Sequence, residues 1–334
     1  MKTKSLNRFL FAATFSGILF VACKKSDSSS SSNGTSQTDL QTQSDDQSRV
    51  SNETDAAFND VTAAMTSQAT VTGSSENVSP RYGVETDGGN QDTIKNSQIC
   101  NATVTLDTTD NPHTITITYN GKTSDSLRSR TGSIVISWIA GTRFSTQGDS
   151  VTVQFENLAI TRLLDKKTIT FNGTHIYKNV SGGSLISLAL GGVTQITHTI
   201  TSANMSITFD DGSQRTWSFA RQRVFTYVNG GLVIAESGFH TNGTMTNISE
   251  WGTNRYGNSF TAQITSPLTV MSSCSLQVTS GVYVLTNNSG VLTLTFGLNA
   301  AGSATGCPVA GSFYYVQLVW AGSGGKTYTF VLPY

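Results

Sequence analysis

From about Ile99 to the C-terminus, apolar and polar positions alternate along the chain. Thr103-Val104-Thr105-Leu106 and Thr114-Ile115-Thr116-Ile117-Thr118 show the pattern most cleanly, with the turn signal Asp110-Asn111-Pro112 between them. A period of two places alternate side chains on opposite faces of an extended strand, so these segments predict half-buried β-strands. The same reading predicts strands at Gly132–Ile139, Val151–Ile160, Thr168–Tyr177, Thr194–Phe209, Gln214–Tyr227, Leu232–Phe239 and Asn254–Ile264. It continues at Gly281–Leu285, Val291–Phe296, Phe313–Trp320 and Lys326–Leu332. The connections are short and turn-like: Asn120-Gly121, Asp210-Asp211-Gly212-Ser213, Asn229-Gly230-Gly231, Asn287-Asn288-Ser289-Gly290 and Gly322-Ser323-Gly324-Gly325. Such turns supply the positive φ angles that tight hairpins need. Parallel pairing needs long crossovers, which are absent from this pattern, so the expected fold is all-β. The body, 99–334, is predicted to be an antiparallel meander forming a sandwich, a curled sheet or a partly open barrel. Its part 265–334 is a candidate subdomain.

Upstream the pattern changes twice. Within Asn52–Met65, Phe58, Val61 and Met65 recur at helical spacing, Ala56, Ala57, Ala63 and Ala64 favour a helix, and Asn52 is a candidate cap. This predicts one short helix over 52–66 whose apolar stripe docks on the β body, followed by a loop over 67–98. The stretch 23–51 is dominated by Ser, Thr, Gln, Asn and Asp. It offers too little apolar surface to offset the entropy of ordering and is expected to be a disordered tether. Residues 1–22 carry Lys2, Lys4 and Arg8, then an apolar run from Phe9 to Val21 that is shorter than the ~20 residues a membrane-spanning helix needs. The run ends Phe20-Val21-Ala22-Cys23. This junction resembles the bacterial lipobox, which implies export, cleavage before Cys23 and acylation (palmitate) of that cysteine. The expected location is the cell envelope, most simply the outer membrane, with the lipid as the membrane partner.

Charged residues are only 13% of the chain, and the formal net charge is zero. Removing residues 1–22 takes away three cations and no acid, leaving 18 basic against 21 acidic side chains. That balance excludes nucleic acid as an expected partner, because binding phosphate needs a basic surface. A glycan or another envelope protein fits the compartment better.

The runs Arg130-Thr131-Gly132-Ser133-Ile134-Val135-Ile136, Asp149–Asn157, Gly173-Thr174, Ile207–Trp217 and Gly252-Thr253-Asn254-Arg255-Tyr256-Gly257, with Cys274 and Cys307, resemble a pattern recurrent in Bacteroidota cell-envelope lipoproteins. The resemblance spans the helix and most of the β body. It implies a lineage and a compartment, and no activity. In that group a second cysteine before the Arg-x-Arg/Lys-x-Gly stretch pairs with the one matching Cys100, whereas Lys122–Ser129 contains none here. With Cys23 lipidated, Cys100, Cys274 and Cys307 remain. Export to an oxidising compartment favours pairing, and Cys274 with Cys307, which flank one hairpin, is the expected bridge. Cys100 is then a free thiol.

Candidate chemistry is sparse. The strand Arg215–Tyr227 places Arg215, Trp217, Phe219, Arg221, Arg223, Phe225 and Tyr227 on one face. Exposed, this ladder would suit stacking on sugar rings or binding an anionic polymer. Otherwise the aromatics are core and the arginines reach over them to solvent. His113, His175, His198 and His240 lack metal-ligand spacing. Asp210-Asp211-Gly212 reads as a turn, and Asp87-Gly88-Gly89-Asn90-Gln91-Asp92 does not complete an EF-hand. No nucleophile elbow is present, and Gly322–Thr327 reads as a hairpin turn and not a phosphate loop. The pattern points to no cofactor and no metal. Four Asp-Ser/Thr-x triplets mark Thr93, Thr108, Ser126 and Ser150 as O-glycosylation candidates. Tyr328, Phe330, Leu332 and Tyr334 alternate to the C-terminus like the last strand of an outer-membrane barrel, but Pro333 and polar residues on both faces of many strands oppose that reading. The leading expectation is a non-enzymatic, lipid-anchored envelope protein. A glycan-binding or adhesin-like module, and a hydrolase without a recognisable motif, are the alternatives.

Overall fold

The computed structural model describes residues 37–68, 91–94, 99, 101–123, 126–274, 276–307 and 314–334. Cys23, Cys100, the residues up to 36 and most of 67–98 lie outside this set. Residues 35–334 form one compact unit.

Helix α1 (Gln37–Thr66) leads into strands β1 (Gln91–Ile94), β2 (Ala102–Asp107), β3 (His113–Lys122), β4 (Arg128–Trp138), β5 (Ser150–Arg162) and β6 (Thr168–Asn179). A five-residue helix α2 (Leu185–Ala189) precedes β7 (Ile196–Phe209), β8 (Gln214–Val228), β9 (Gly231–Gly238), β10 (His240–Asn242) and β11 (Met245–Thr253). The chain ends with β12 (Ser259–Met271), β13 (Gln277–Asn287), β14 (Gly290–Leu298), β15 (Tyr315–Gly322) and β16 (Thr327–Pro333). All strands join one antiparallel sheet. The predicted all-β meander is therefore present, and its form is a single curled sheet. The segment 265–334 continues that sheet and is no separate subdomain. β1 and β16 stand at its two ends.

Three features differ from the sequence expectation. Helix α1 begins at Gln37, fifteen residues before Asn52, so its first half occupies part of the stretch expected to be tether. Strand β1 lies within the expected loop 67–98. The strands β10 and β11 form where no alternation was legible. β9 pairs with the second half of β8 and of β12, while β11 pairs with their first halves. The two short strands thus share one slot in the sheet, and β10 with the start of β11 forms a hairpin interrupting it.

The curl has a local cause. Register shifts fall between neighbouring strands at Thr131/Ser133, Phe155/Leu158, Asn172/His175 and Ser202/Met205. Bulges of this kind bend a strand and increase its twist, and a row of them coils the sheet. Gly132 sits at the first with φ +91°, where a Cβ would lie 2.1 Å from the carbonyl oxygen of Asn157. Gly132→Ala is accordingly expected to cost more than about 2 kcal/mol, because the residue can neither relax its φ nor move off the neighbouring backbone. Denaturant unfolding checks this, and a cost below about 0.5 kcal/mol would mean that the bulge gives way.

The sheet curls around α1. Phe58 and Val61 are 0% exposed and Met65 is 3% exposed, so the apolar stripe docks as its spacing predicts. Around it lie the inward residues of the strands, including Ile117, Ile134, Val153, Ile169, Ile207 and Phe225.

Candidate functional site

The side chains that bear chemistry converge between α1 and the concave face. Arg215, Trp217, Phe219, Arg221, Arg223 and Phe225 share a face, as the alternation requires, but that face is buried: Arg221 is 0% and Arg223 1% exposed. Only Tyr227, at the end of the strand, reaches solvent. The arginines do not reach over the aromatics to water, and no exposed ladder exists. They end on acids that the sequence reading did not single out. Arg221 donates to Glu250 Oε1 at 2.6 Å, to Asp55 Oδ1 at 2.9 Å and to Glu236 Oε2 at 3.1 Å. Arg223 pairs with Glu236 at 2.8 Å and donates to Asn59 Oδ1 at 3.2 Å. Arg215 donates to Gln47 Oε1 at 2.7 Å and to Glu250 Oε2 at 3.1 Å. Three guanidinium groups thus face three carboxylates. The guanidinium planes also lie near aromatic faces, with Arg221 4.7 Å from the Phe219 ring centre and Arg215 4.3 Å from that of Phe260.

The pattern extends along the helix. Among the described residues, seven arginines of the β body, six in strands and Arg255 in the β11–β12 turn, meet polar side chains of α1. The other four pairs are Arg128–Glu53, Arg130–Asp60, Arg162–Asp45 and Arg255–Asp46. This explains why the first half of α1 is helical and docked despite its composition. Asp46, Gln47 and Glu53 are buried because arginines from distant parts of the chain receive them, Arg49 is buried with its guanidinium donating to the Lys167 carbonyl oxygen, and Ser51 is buried accepting from Gln47. Without partners, such residues would stay in water. Burial pushes the Asp55 carboxyl up to about 7, with Glu236 adding and Arg221 opposing. It likewise raises Asp46 to about 6 against the pull of Arg255.

The histidines separate into two kinds. His175 is 0% exposed within the rings of Phe58, Phe155, Tyr177 and Phe219, and neither ring nitrogen has a hydrogen-bond partner among the described residues. Burial, then the charge of Arg221, pushes its pKa down to about 3. His198 packs between Phe144 and Phe225 and is held at about 3 by burial and Arg223. His113 edges against Trp138, and His240 stacks on Trp251 at 4.1 Å.

A neutral buried histidine makes stability depend on pH. Between pH 6.5 and 3 the unfolded chain takes up a proton that the folded state refuses, so stability falls as pH drops. The raised Asp46 and Asp55 act in the opposite sense between about pH 4 and 7, so the histidine contribution emerges by difference. His175→Leu is expected to gain about 2–3 kcal/mol on the parent between pH 7.5 and 4.5, at ~1.4 kcal/mol per pH unit below 6.5. Unfolding curves at the two pH values measure it, and a parallel pair of pH profiles would refute it.

The remaining candidates are dispersed. Cys274 and Cys307 form the expected disulfide, tying the single 3₁₀ turn after β12 to the loop after β14. Cys100 lies outside the described residues, as does most of the Asp87–Asp92 segment. Ser126 and Ser150 are exposed, Thr108 is half-buried, and Thr93 lies in β1. Asp211 accepts from Ser213 within its turn and pairs with Arg255, so that turn is built by local hydrogen bonds. Among the described residues no group of three or more His, Cys, Asp or Glu is placed to hold a metal ion. At either end of α1 lies a recess of about 30 Å³, room for one or two waters. One is lined by Gln43, Asn254, Arg255, Asn287 and Trp320, and the other by Thr62, Met65, Phe144, Leu185 and His198.

Glu236 left a signal in the sequence, and Glu250 did not. Glu236 shares the phase of Ile234 within its strand, and a lone acid on the buried face of a strand implies a buried cation. Glu250 lay in a segment with no legible alternation. Comparison with family models, curated proteins and solved structures finds no match to this chain.

Proposed function

We propose that this chain is a lipid-anchored protein of the bacterial cell envelope whose β body has a non-enzymatic, scaffolding or ligand-binding role. The anchor rests on Lys2, Lys4, Arg8, the apolar run Phe9–Val21 and the Ala22-Cys23 junction. The role of the body rests on one observation. The concave face, the deepest apolar surface that a curled sheet offers, is filled by α1 and closed by the Arg221–Asp55–Glu236–Glu250 pairing. Groups that elsewhere perform acid–base work are spent here in holding helix to sheet. Arg215–Tyr227 then serves as structure, and glycan binding through that strand would require α1 to leave. Contact with a ligand or partner falls instead to the outer face and the turns.

Cell fractionation tests the anchor. The parent is expected in the membrane fraction with labelled palmitate incorporated, and Cys23→Ser in the soluble fraction without label. A Cys23→Ser protein that stays in the membrane and takes up label as before would overturn the assignment. Intact-mass measurement of the same native material reads the glycosylation triplets, as mass beyond that of the lipidated polypeptide.

A further inference from the structure

The two ends of the sheet are not equivalent with respect to the tether. Arg162, at the end of β5, holds Asp45 through two hydrogen bonds of 2.7 and 3.0 Å, and Arg49 donates to the carbonyl oxygen of Lys167 at 3.0 Å. The β5–β6 turn, Leu163–Lys167, therefore lies beside the start of α1. The β3–β4 connection joins it there, since Leu163 donates its N–H to the carbonyl oxygen of Leu127 at 2.9 Å. On these two turns stand Leu164, 93% exposed, and Leu127, 57% exposed. Leu164 is the most exposed large apolar side chain among the described residues. Around the pair lie the exposed Lys122, Lys166 and Lys167. Asp165, within the same turn, is already paired with Arg162.

The chain that leads back to Cys23 leaves from this end. Only residues 24–36 separate Cys23 from Gln37. That length of chain spans at most about 50 Å. The opposite set of turns stands a strand length further away, about 40–50 Å for strands such as β8. A bilayer holding Cys23 thus meets the Leu127–Leu164 end first.

We propose that this end of the body docks on the membrane surface, with Leu127 and Leu164 entering the interfacial layer and Lys122, Lys166 and Lys167 against anionic phospholipid headgroups. Exposed leucines flanked by lysines match the two components of such a surface: apolar burial and attraction to anionic lipid. Each contribution is small for a free protein. Anchoring through Cys23 raises the local concentration of the bilayer, so weak contacts suffice. The inference rests on the lipid-anchor reading for its biological setting.

Lysine footprinting tests it in a way that separates the two. The chain from residue 23 onward, carrying Cys100→Ser, is coupled through the Cys23 thiol to a maleimide phospholipid in vesicles containing phosphatidylglycerol. Coupling fixes the tether whether or not the cell acylates Cys23, and flotation with the vesicles verifies it. A water-soluble acylating reagent is then read residue by residue. Lys166 and Lys167 are expected to react at least fivefold more slowly on vesicles than in solution. Lys178, exposed on the far half of β6, is expected to be unchanged. Leu127→Gln with Leu164→Gln is expected to bring the protection to within twofold of the soluble rate, and raised salt to weaken it. Unprotected Lys166 and Lys167 on the floated protein, or protection of Lys178 in their place, would overturn the docking. Protection on coupled vesicles together with failed acylation in cells would uphold the docking and remove the lipid-anchor reading.

Discussion

Arg221→Met is expected to destabilise the protein by about 3–5 kcal/mol. Arg221 is fully buried and, among the described residues, is the one cation in contact with Asp55, Glu236 and Glu250 together. Removing it leaves three acids facing Arg215 and Arg223 in a site where Glu236 and Glu250 are buried and Asp55 is mostly so. An unpaired buried charge costs far more than the pair contributed. The methionine fills most of the volume, so the loss reports charge and not a cavity. A second substitution distinguishes the causes. Arg221→Met with Glu250→Gln restores the balance of charge and is expected to recover at least about 2 kcal/mol. Denaturant unfolding of parent, single and double variants measures both. A single-variant cost under about 1 kcal/mol, or a double variant no better than the single, would show that the network does not hold the helix.

Phe58→Ala is expected to cost a comparable 3–5 kcal/mol. Phe58 is 0% exposed and meets Phe219 at 5.2 Å, His175 at 5.4 Å and Tyr177 at 5.7 Å between ring centres. Its ring pins α1 to strands β6 and β8 at once, so truncation opens a cavity at the centre of the curl. Hydrogen exchange distinguishes a local effect from a general one. Amides of the second half of α1 are expected to exchange faster by a larger factor than those of β13 and β14, which lie away from the pin. Equal acceleration throughout the body would mean that helix and sheet unfold only together.

These two substitutions probe different halves of the same contact, and the halves differed in how well the sequence showed them. Phe58, Val61 and Met65 recur at helical spacing, and the contact they make was legible. The polar first half of α1 was not. Asp45, Asp46, Gln47 and Glu53 have the composition of a solvated tether, and they are ordered by Arg162, Arg255, Arg215 and Arg128, which lie far along the chain. The strands were legible wherever apolar and polar residues alternate, because the period of the pattern equals the period of the strand. It failed for β10 and β11, whose run His240–Thr253 is mostly Thr, Asn, Gly and Ser. The pairing of β11 comes from the vacant slot that β9 leaves between β8 and β12, and β10 pairs with β11 alone.

The glycines and the asparagine at the bulges and close strand approaches have a physical role. Gly132 and Asn157 meet at one bulge, Gly173 faces Met205 at another, and Gly252 lies against the backbone of Thr216. Backbone approaches this close exclude a side chain, so the residues at these points serve the curvature of the sheet.

By itself the sequence determined the antiparallel strands, the hairpin turns between them, the docking stripe of the helix and the Cys274–Cys307 bridge, since each depends on a local period or on a short list of partners. It also carried the lipobox-like junction at Cys23, on which the proposed compartment rests. Only the tertiary structure decided the fate of Arg215, Arg221 and Arg223. Alternation placed them on one face, but whether that face meets water, a ligand or a helix depends on Glu236, Glu250 and Asp55, which no local pattern ties to them. A charged side chain is stable in solvent or opposite a counter-charge, and the choice between the two is made by the fold.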